Sequence, residues 1–176
     1  PTFYPVPLMQ LTTGEHIRVG NGQTSGEVEY VYIVSGGKAY FTVGCDHSDR
    51  AMEAHSVPAC KQICPNIIGA EVWLYDEVRD HLDQLMLICE IEDKGAWRLY
   101  QQAPVTSLLP PEKLLELGEK AILGGDTEGL VLYSGTIQTL GEITYAPKWR
   151  VTLRDLKLNR EITAQYTVEQ LPDSIE

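Results

Sequence analysis

The segment from Glu27 to Val43 constrains the fold more than any other part of the chain. Glu27 to Val34 alternates and is rich in Val, Tyr and Ile, side chains that suit a pleated, half-buried surface, so it predicts a strand. Gly36-Gly37 supplies a turn, and Ala39–Val43 reads as the returning strand of a hairpin. A lone hairpin is marginal in water, so further strands must cover it. The pattern supplies them near Met9–Leu11, His16–Val19, Ile88–Glu92, Trp97–Tyr100, Leu130–Tyr133, Trp149–Leu153 and Ile162–Val168. Helices are fewer. Val78, Leu82 and Leu85 predict one within Asp76–Leu87, and Glu71–Tyr75 reads as a strand or a helix start. Pro110-Pro111-Glu112 opens another helix, with Leu114, Leu115, Leu117, Ala121 and Ile122 as its apolar face and Gly124-Gly125 as its stop. The expectation is a β-rich α+β fold in a single domain over 1–176. Within it, 1–25 forms an N-terminal arm or short strands and 26–170 the core.

At 176 residues, a chain of this length buries a core without staples, so a metal need not be structural. The formal net charge of −11 argues against nucleic acid, whose phosphates need a basic surface. No stretch is long and apolar enough to predict a membrane span. Pro1–Pro5 lacks a basic segment followed by an apolar one, so no secretory signal is expected, and Pro1 fits either removal of an initiator Met or an artificial boundary. A cytoplasmic location is the expectation. Cys45, Cys60, Cys64 and Cys89 lack zinc-finger or C-x-x-C spacing and read as four reduced, buried thiols.

Four segments carry candidate chemistry. Glu27 and Glu29 flank Val28 and share one strand face. Two adjacent carboxylates repel unless a cation lies between them, so the pair either shares a metal or faces solvent. The run Cys45-Asp46-His47-Ser48-Asp49-Arg50 follows the returning strand directly. It can bring Asp46 back to the Glu pair, or it can cap a helix through Asp46 or Ser48. Lys61 in Lys61-Gln62-Ile63-Cys64-Pro65 could meet an anionic substrate or could be a surface lysine. Gly129 to Thr136 is an apolar strand running into Gly135-Thr136, a turn able to hold a carboxylate or merely to end the strand.

In their order and wording these segments resemble the fumarylacetoacetate hydrolase superfamily. Its members carry an E-x-E strand, an Asp in a pattern like N-D-x-S-x-R-D, a Lys segment often ending in C-P, and a later strand ending in Gly-Thr. The similarity spans roughly 26–170. The phrase Val43-Gly44-Cys45-Asp46-His47-Ser48-Asp49-Arg50 more narrowly resembles an uncharacterised bacterial branch, DUF2848. The resemblance implies a mixed β-sandwich roll with a few peripheral helices, commonly a homodimer. It implies Mg²⁺, Mn²⁺ or Ca²⁺ held by Glu27, Glu29 and Asp46. By position, Arg50 and Lys61 fall on active-site cations, and Gly135, Thr136 and Glu53 on substrate-facing positions.

The activity implied is hydrolysis of a C–C bond in a 2,4-dioxo acid or a related small 2-oxo acid. Decarboxylation or keto–enol tautomerisation at the same metal is the alternative, and a non-catalytic binding protein a further one. Hydrolytic members activate water with a His–Glu pair from a lid. Neither His47 nor His55 matches that position, and His47 is the candidate base for water. The Glu128-Gly129 dipeptide stands where the superfamily has Gly-Asp.

Overall fold

The computed structural model describes residues 1–118 and 126–173. Its centre is the expected hairpin, with both strands longer than the alternation alone predicted. Strand β3 spans Thr24–Ser35 and β4 spans Lys38–Asp49, paired antiparallel along their whole length. The turn at Gly36 and Gly37 has φ of 60° and 69°, a left-handed backbone that glycine adopts without strain. The polar run Gly44–Asp49 is therefore the end of a strand and not the start of a helix. Its ladder partners are Thr24–Glu29. The helix cap falls later, at Asp49, whose carboxylate accepts from the Met52 N–H at 2.9 Å and starts the short α1 over Arg50–Glu53.

Beyond α1 come α2 (Val57–Ile63), β5 (Asn66–Ile68) and β6 (Trp73–Leu74). With β1 (Leu11–Thr12) and β9 (Val131–Tyr133) they complete a six-stranded sheet ordered β1-β5-β4-β3-β9, with β6 also on β4. The second sheet has five strands, ordered β2-β11-β10-β7-β8. These are β2 (His16–Val19), β7 (Leu85–Asp93), β8 (Ala96–Pro104), β10 (Lys148–Asp155) and β11 (Arg160–Gln170). Among the described residues only β1/β5 and β2/β11 pair in parallel.

The two sheets bury a common core. Val28, Tyr30, Val43 and Cys45 come from the first, and Leu87, Cys89, Ile91, Trp149, Val151 and Tyr166 from the second. These positions alternate along each strand, as side chains on one face must. All four cysteines are free and buried, and burial pushes the Cys45 thiol up to about 12. The architecture is the expected β-rich mixed fold.

The helix expected over Asp76–Leu87 is cut short. A single turn, α3 (Tyr75–Val78), passes into 3-10 geometry over Arg79–Gln84. His81 there leaves helical φ/ψ to reach the buried Asp155, and Leu85 already belongs to β7. Helix α4 (Pro111–Gly118) starts where Pro110-Pro111 predicts; Leu114 is buried, whereas Leu117 faces solvent. Its expected end, with Ala121 and Ile122, lies outside the described residues. Among the described residues no helix is long and apolar enough to cross a membrane.

Candidate active site

Period-two alternation divides the β3–β4 hairpin into two chemistries. Val28 and Tyr30, with Val43 and Cys45, enter the core between the sheets. Glu27 and Glu29 then point the other way, and so does Asp46, the ladder partner of Glu27. One ligand atom from each of the three acids lies within 4.8 Å of the others. Opposite Glu29 stands Gly44. A Cβ there would come within 2.5 Å of Tyr133 Cε1 and Val31 Cγ2, so that ladder position must stay empty of side chain.

Two cations meet this cluster. Lys61, from the last turn of α2, sets Nζ 2.6 Å from Glu27 Oε2 and 2.7 Å from Asp46 Oδ2. Arg50 donates to Glu27 Oε1 at 2.8 Å, to Ser25 Oγ at 2.6 Å and to Glu53 Oε2 at 2.9 Å. Burial disfavours ionised Glu27, but Lys61 and Arg50 outweigh it and hold the carboxyl below its usual range. Burial likewise opposes the Lys61 ammonium, and Asp46 with Glu27 overcomes it, so Lys61 stays charged.

Glu29 differs. It is 2% exposed, and among the described residues no cation pairs with it. Its Oε2 accepts the N–H of Gly135 at 2.7 Å, from a turn with φ of +85° that suits glycine. Burial first, then the charges of Asp46 and Glu27, pushes its carboxyl well above the ordinary range. Asp46 is also raised by burial, against the pull of Lys61. A buried acid short of one positive charge, beside two more carboxylates, is a donor set that fits a hard dication such as Mg²⁺, Mn²⁺ or Ca²⁺.

The acids lie on the wall of a cavity of about 590 Å³. Lys61, Asn66, Tyr133 and Gly135 line it with them, and Phe3, Leu114 and Leu132 add apolar wall. Of the residues expected at the site, then, Glu27, Glu29, Asp46, Lys61 and Gly135 come together around one space. Arg50 does not line it; it stands behind Glu27 and fixes that carboxylate.

The other expected residues lie elsewhere. His47 neighbours Asp46 in a strand and so points to the opposite face, into the core. It is fully buried, its ring nitrogens lie 3.0 Å from Tyr166 OH and 2.9 Å from Thr24 Oγ1, and its ring packs edge-on against Trp149. Burial, then the charge of Arg50, lowers it to about 3. It holds the sheets together and cannot activate water at the acids. Glu53 lies outside the cavity wall as a partly exposed partner of Arg50. Thr136 turns away from the cavity: its hydroxyl donates to Val28 O at 2.9 Å and accepts from Gln101 Nε2 at 2.9 Å. Gln101, on β8, also accepts the Val28 N–H at 3.1 Å. It ties the Gly135-Thr136 turn to the middle of the Glu27–Glu29 strand, and no local pattern in the sequence announced it.

A hairpin bearing clustered acids on the outer face of two packed mixed sheets defines a fold of the fumarylacetoacetate hydrolase type. Within that class the chain belongs to the family described as proteins of unknown function, DUF2848, which it matches over residues 1–166. Among solved structures it is similar to 2-keto-3-deoxyarabinonate dehydratase in a hexagonal crystal form. That match has a TM-score of 0.70 at 17% identity and covers 90% of this chain and 55% of that one. The same TM-score, at 18% identity and with 90% and 57% covered, relates it to 2-keto-3-deoxy-D-arabinonate dehydratase complexed with magnesium and 2,5-dioxopentanoate. Cg1458 follows, with a TM-score of 0.64, 14% identity and 89% and 66% covered. The chain thus spans little more than half the length of the dehydratases, and the likeness is one of fold. No curated protein sequence matches it.

Proposed function

We propose that the protein is a divalent-metal-dependent enzyme acting on a small 2-oxo acid, as a lyase or a keto–enol tautomerase. The observation that carries this reading is the convergence of three acids, one of them buried without a cationic partner, on the wall of a cavity. A dication bound there would supply Lewis acidity to the adjacent oxygens of a 2-oxo acid. Lys61 offers the substrate carboxylate, or negative charge developing on the 2-oxo oxygen, a fixed ammonium. Arg50 keeps the Glu27 carboxylate in one orientation through a 2.8 Å bond. Gly135 does the same for Glu29. Phe3, Leu114 and Leu132 keep water from the apolar side of the cavity.

Hydrolysis, the first expectation, needs a base for water. None of the four histidines lines the cavity, and His47 is locked in the core. That observation moves the reading toward reactions that need no activated water. In decarboxylation a C–C bond breaks, CO₂ leaves, the electron pair passes into an enolate, and a proton restores the ketone. In tautomerisation the proton only changes place. The dehydratases among the fold's relatives, lyases by name, support this direction. A homodimer is part of the same proposal, and light scattering at micromolar concentration tests it.

The experiment is calorimetry with Mn²⁺ and Mg²⁺, followed by absorbance assays on oxaloacetate and an acylpyruvate. Metal-dependent turnover of oxaloacetate, or its enol–keto exchange, is the expected result. Acylpyruvate cleavage alone would restore the hydrolase. No metal binding at millimolar concentration would leave a binding protein on this fold.

A further inference from the structure

Two consecutive residues of β8, Tyr100 and Gln101, both lie in the core, at 2% and 0% exposure. An unbroken strand would send them to opposite faces. A β-bulge removes the conflict. Cys89 pairs with Gln101 and Glu90 with Leu99, so Tyr100 is the extra residue and Gln101 is turned inward. The bulge places an amide where any polar atom left without a partner would be costly.

That amide meets the acid-bearing strand from the other sheet. Strand β9 ends at Tyr133, opposite Val31, so among the described residues no strand lies beside Val28 on that edge of β3. Side chains take the place of a ladder. Gln101 Oε1 accepts the Val28 N–H at 3.1 Å. Gln101 Nε2 donates to Thr136 Oγ1 at 2.9 Å, and that hydroxyl donates to Val28 O at 2.9 Å. These three bonds close a ring on both main-chain groups of Val28, the residue between Glu27 and Glu29. Gln101 Nε2 also donates to Ile137 O at 2.6 Å, which pins the chain just past the turn. On the near side of Thr136, Gly135 donates to Glu29 Oε2 at 2.7 Å. The main-chain and the side-chain supports of Glu29 thus converge on one glutamine that does not line the cavity.

We propose that Gln101 is a positioning residue for the acid cluster. Through Val28 and the Gly135-Thr136 turn it holds Glu27 and Glu29 in the arrangement that receives a dication, so it sets metal affinity without touching the ion. This inference rests on the proposed metal site and deepens it.

Calorimetry with Mn²⁺ tests it, with urea midpoints measured on the same proteins. Gln101→Met keeps the length of the side chain, removes its hydrogen bonds and is expected to weaken Mn²⁺ binding about tenfold or more. Thr136→Val breaks the ring at its hydroxyl and is expected to weaken binding in the same direction. Thr136→Ser keeps the hydroxyl and is expected to stay within about twofold of wild type. Since the bonds act as one ring, the double variant of Gln101→Met with Thr136→Val is expected to lose no more than the worse single one. Asp155→Asn, in the second sheet, lowers stability and is expected to keep wild-type affinity, which separates positioning from general destabilisation. A folded Gln101→Met protein that binds Mn²⁺ within about twofold of wild type overturns the inference. So do additive losses in the double variant, or an equal loss in Asp155→Asn. If Gln101→Met does not fold, the Thr136 variants decide, and wild-type affinity in Thr136→Val overturns it. If wild-type protein binds no Mn²⁺ at millimolar concentration, the proposed function falls and takes this inference with it.

Discussion

Two of the buried acids, Asp155 and Glu29, are treated in opposite ways. In the second sheet, Asp155 has no exposed side-chain surface, yet every lone pair is engaged. Oδ1 accepts the N–H groups of Lys157 and Leu158, both at 3.0 Å; Oδ2 accepts from His81 Nε2 at 3.1 Å and Arg160 Nε at 3.3 Å. Burial opposes its charge, but the Leu158 N–H and His81 outweigh it and hold the carboxyl below its usual range. Glu29, equally hidden, has one backbone donor and two acidic neighbours, and its carboxyl rises. Where the fold needs an acid for structure, it completes the partners. Where partners are left out, the deficit marks a place for something that is not part of the chain.

The comparison can be broken by experiment. Asp155→Ala should cost the most, about 3–5 kcal/mol in urea unfolding, because it strips His81, Arg160 and two backbone N–H groups of a shared buried acceptor. A loss near zero would mean Asp155 is not a structural acid. Next, Mn²⁺ at a hundred times its Kd should stabilise the wild-type fold by about 2.7 kcal/mol, read as a higher melting temperature. Glu29→Gln should abolish most of that gain, whereas Asp155→Asn should leave the metal-dependent increment intact. Equal losses in both variants would erase the distinction between the two acids.

The pH dependence should have opposite signs at the two places. Unfolded, Glu29 ionises near its ordinary value, while burial and the charges of Asp46 and Glu27 raise its folded value well above that. In EDTA its contribution is therefore full below about pH 4.3 and declines as pH rises, with a slope of at most about 1.4 kcal/mol per pH unit. For Asp155 the folded value is lowered, so its stabilisation is present above about pH 3.9 and is lost as pH falls. Urea midpoints against pH should show Glu29→Gln flattening the first limb and Asp155→Asn the second. The smallest effect belongs to Glu53→Gln. Its pair with Arg50 is partly exposed and only three residues away, so stability should change by about 0.5 kcal/mol or less and Mn²⁺ affinity by less than about twofold. A larger loss of affinity would return Glu53 to the site.

Much of the site could be read before the fold was known, and the misses lie where strand pairing or a distant contact overrode the local pattern. Glu27 and Glu29 share a face because strand geometry is local, and the Gly36-Gly37 turn brings Asp46 level with Glu27. The error at His47 came from expecting the strand to end before Asp46. Once Gly44–Asp49 is paired, the same alternation that aims Asp46 outward aims His47 into the core. At Asp76–Leu87 the helical spacing was real but was overridden when His81 turned in to Asp155, 74 residues away.

The sequence by itself determined the hairpin, the strand-rich class, the paired acids and the order of motifs, because period and turn chemistry act between near neighbours. Only the tertiary structure decided that Lys61 bridges Glu27 and Asp46 and that Gln101 reaches from the other sheet to Val28. Those outcomes depend on which strands lie side by side and in what register. Contacts between distant segments fix them, and no local pattern encodes them.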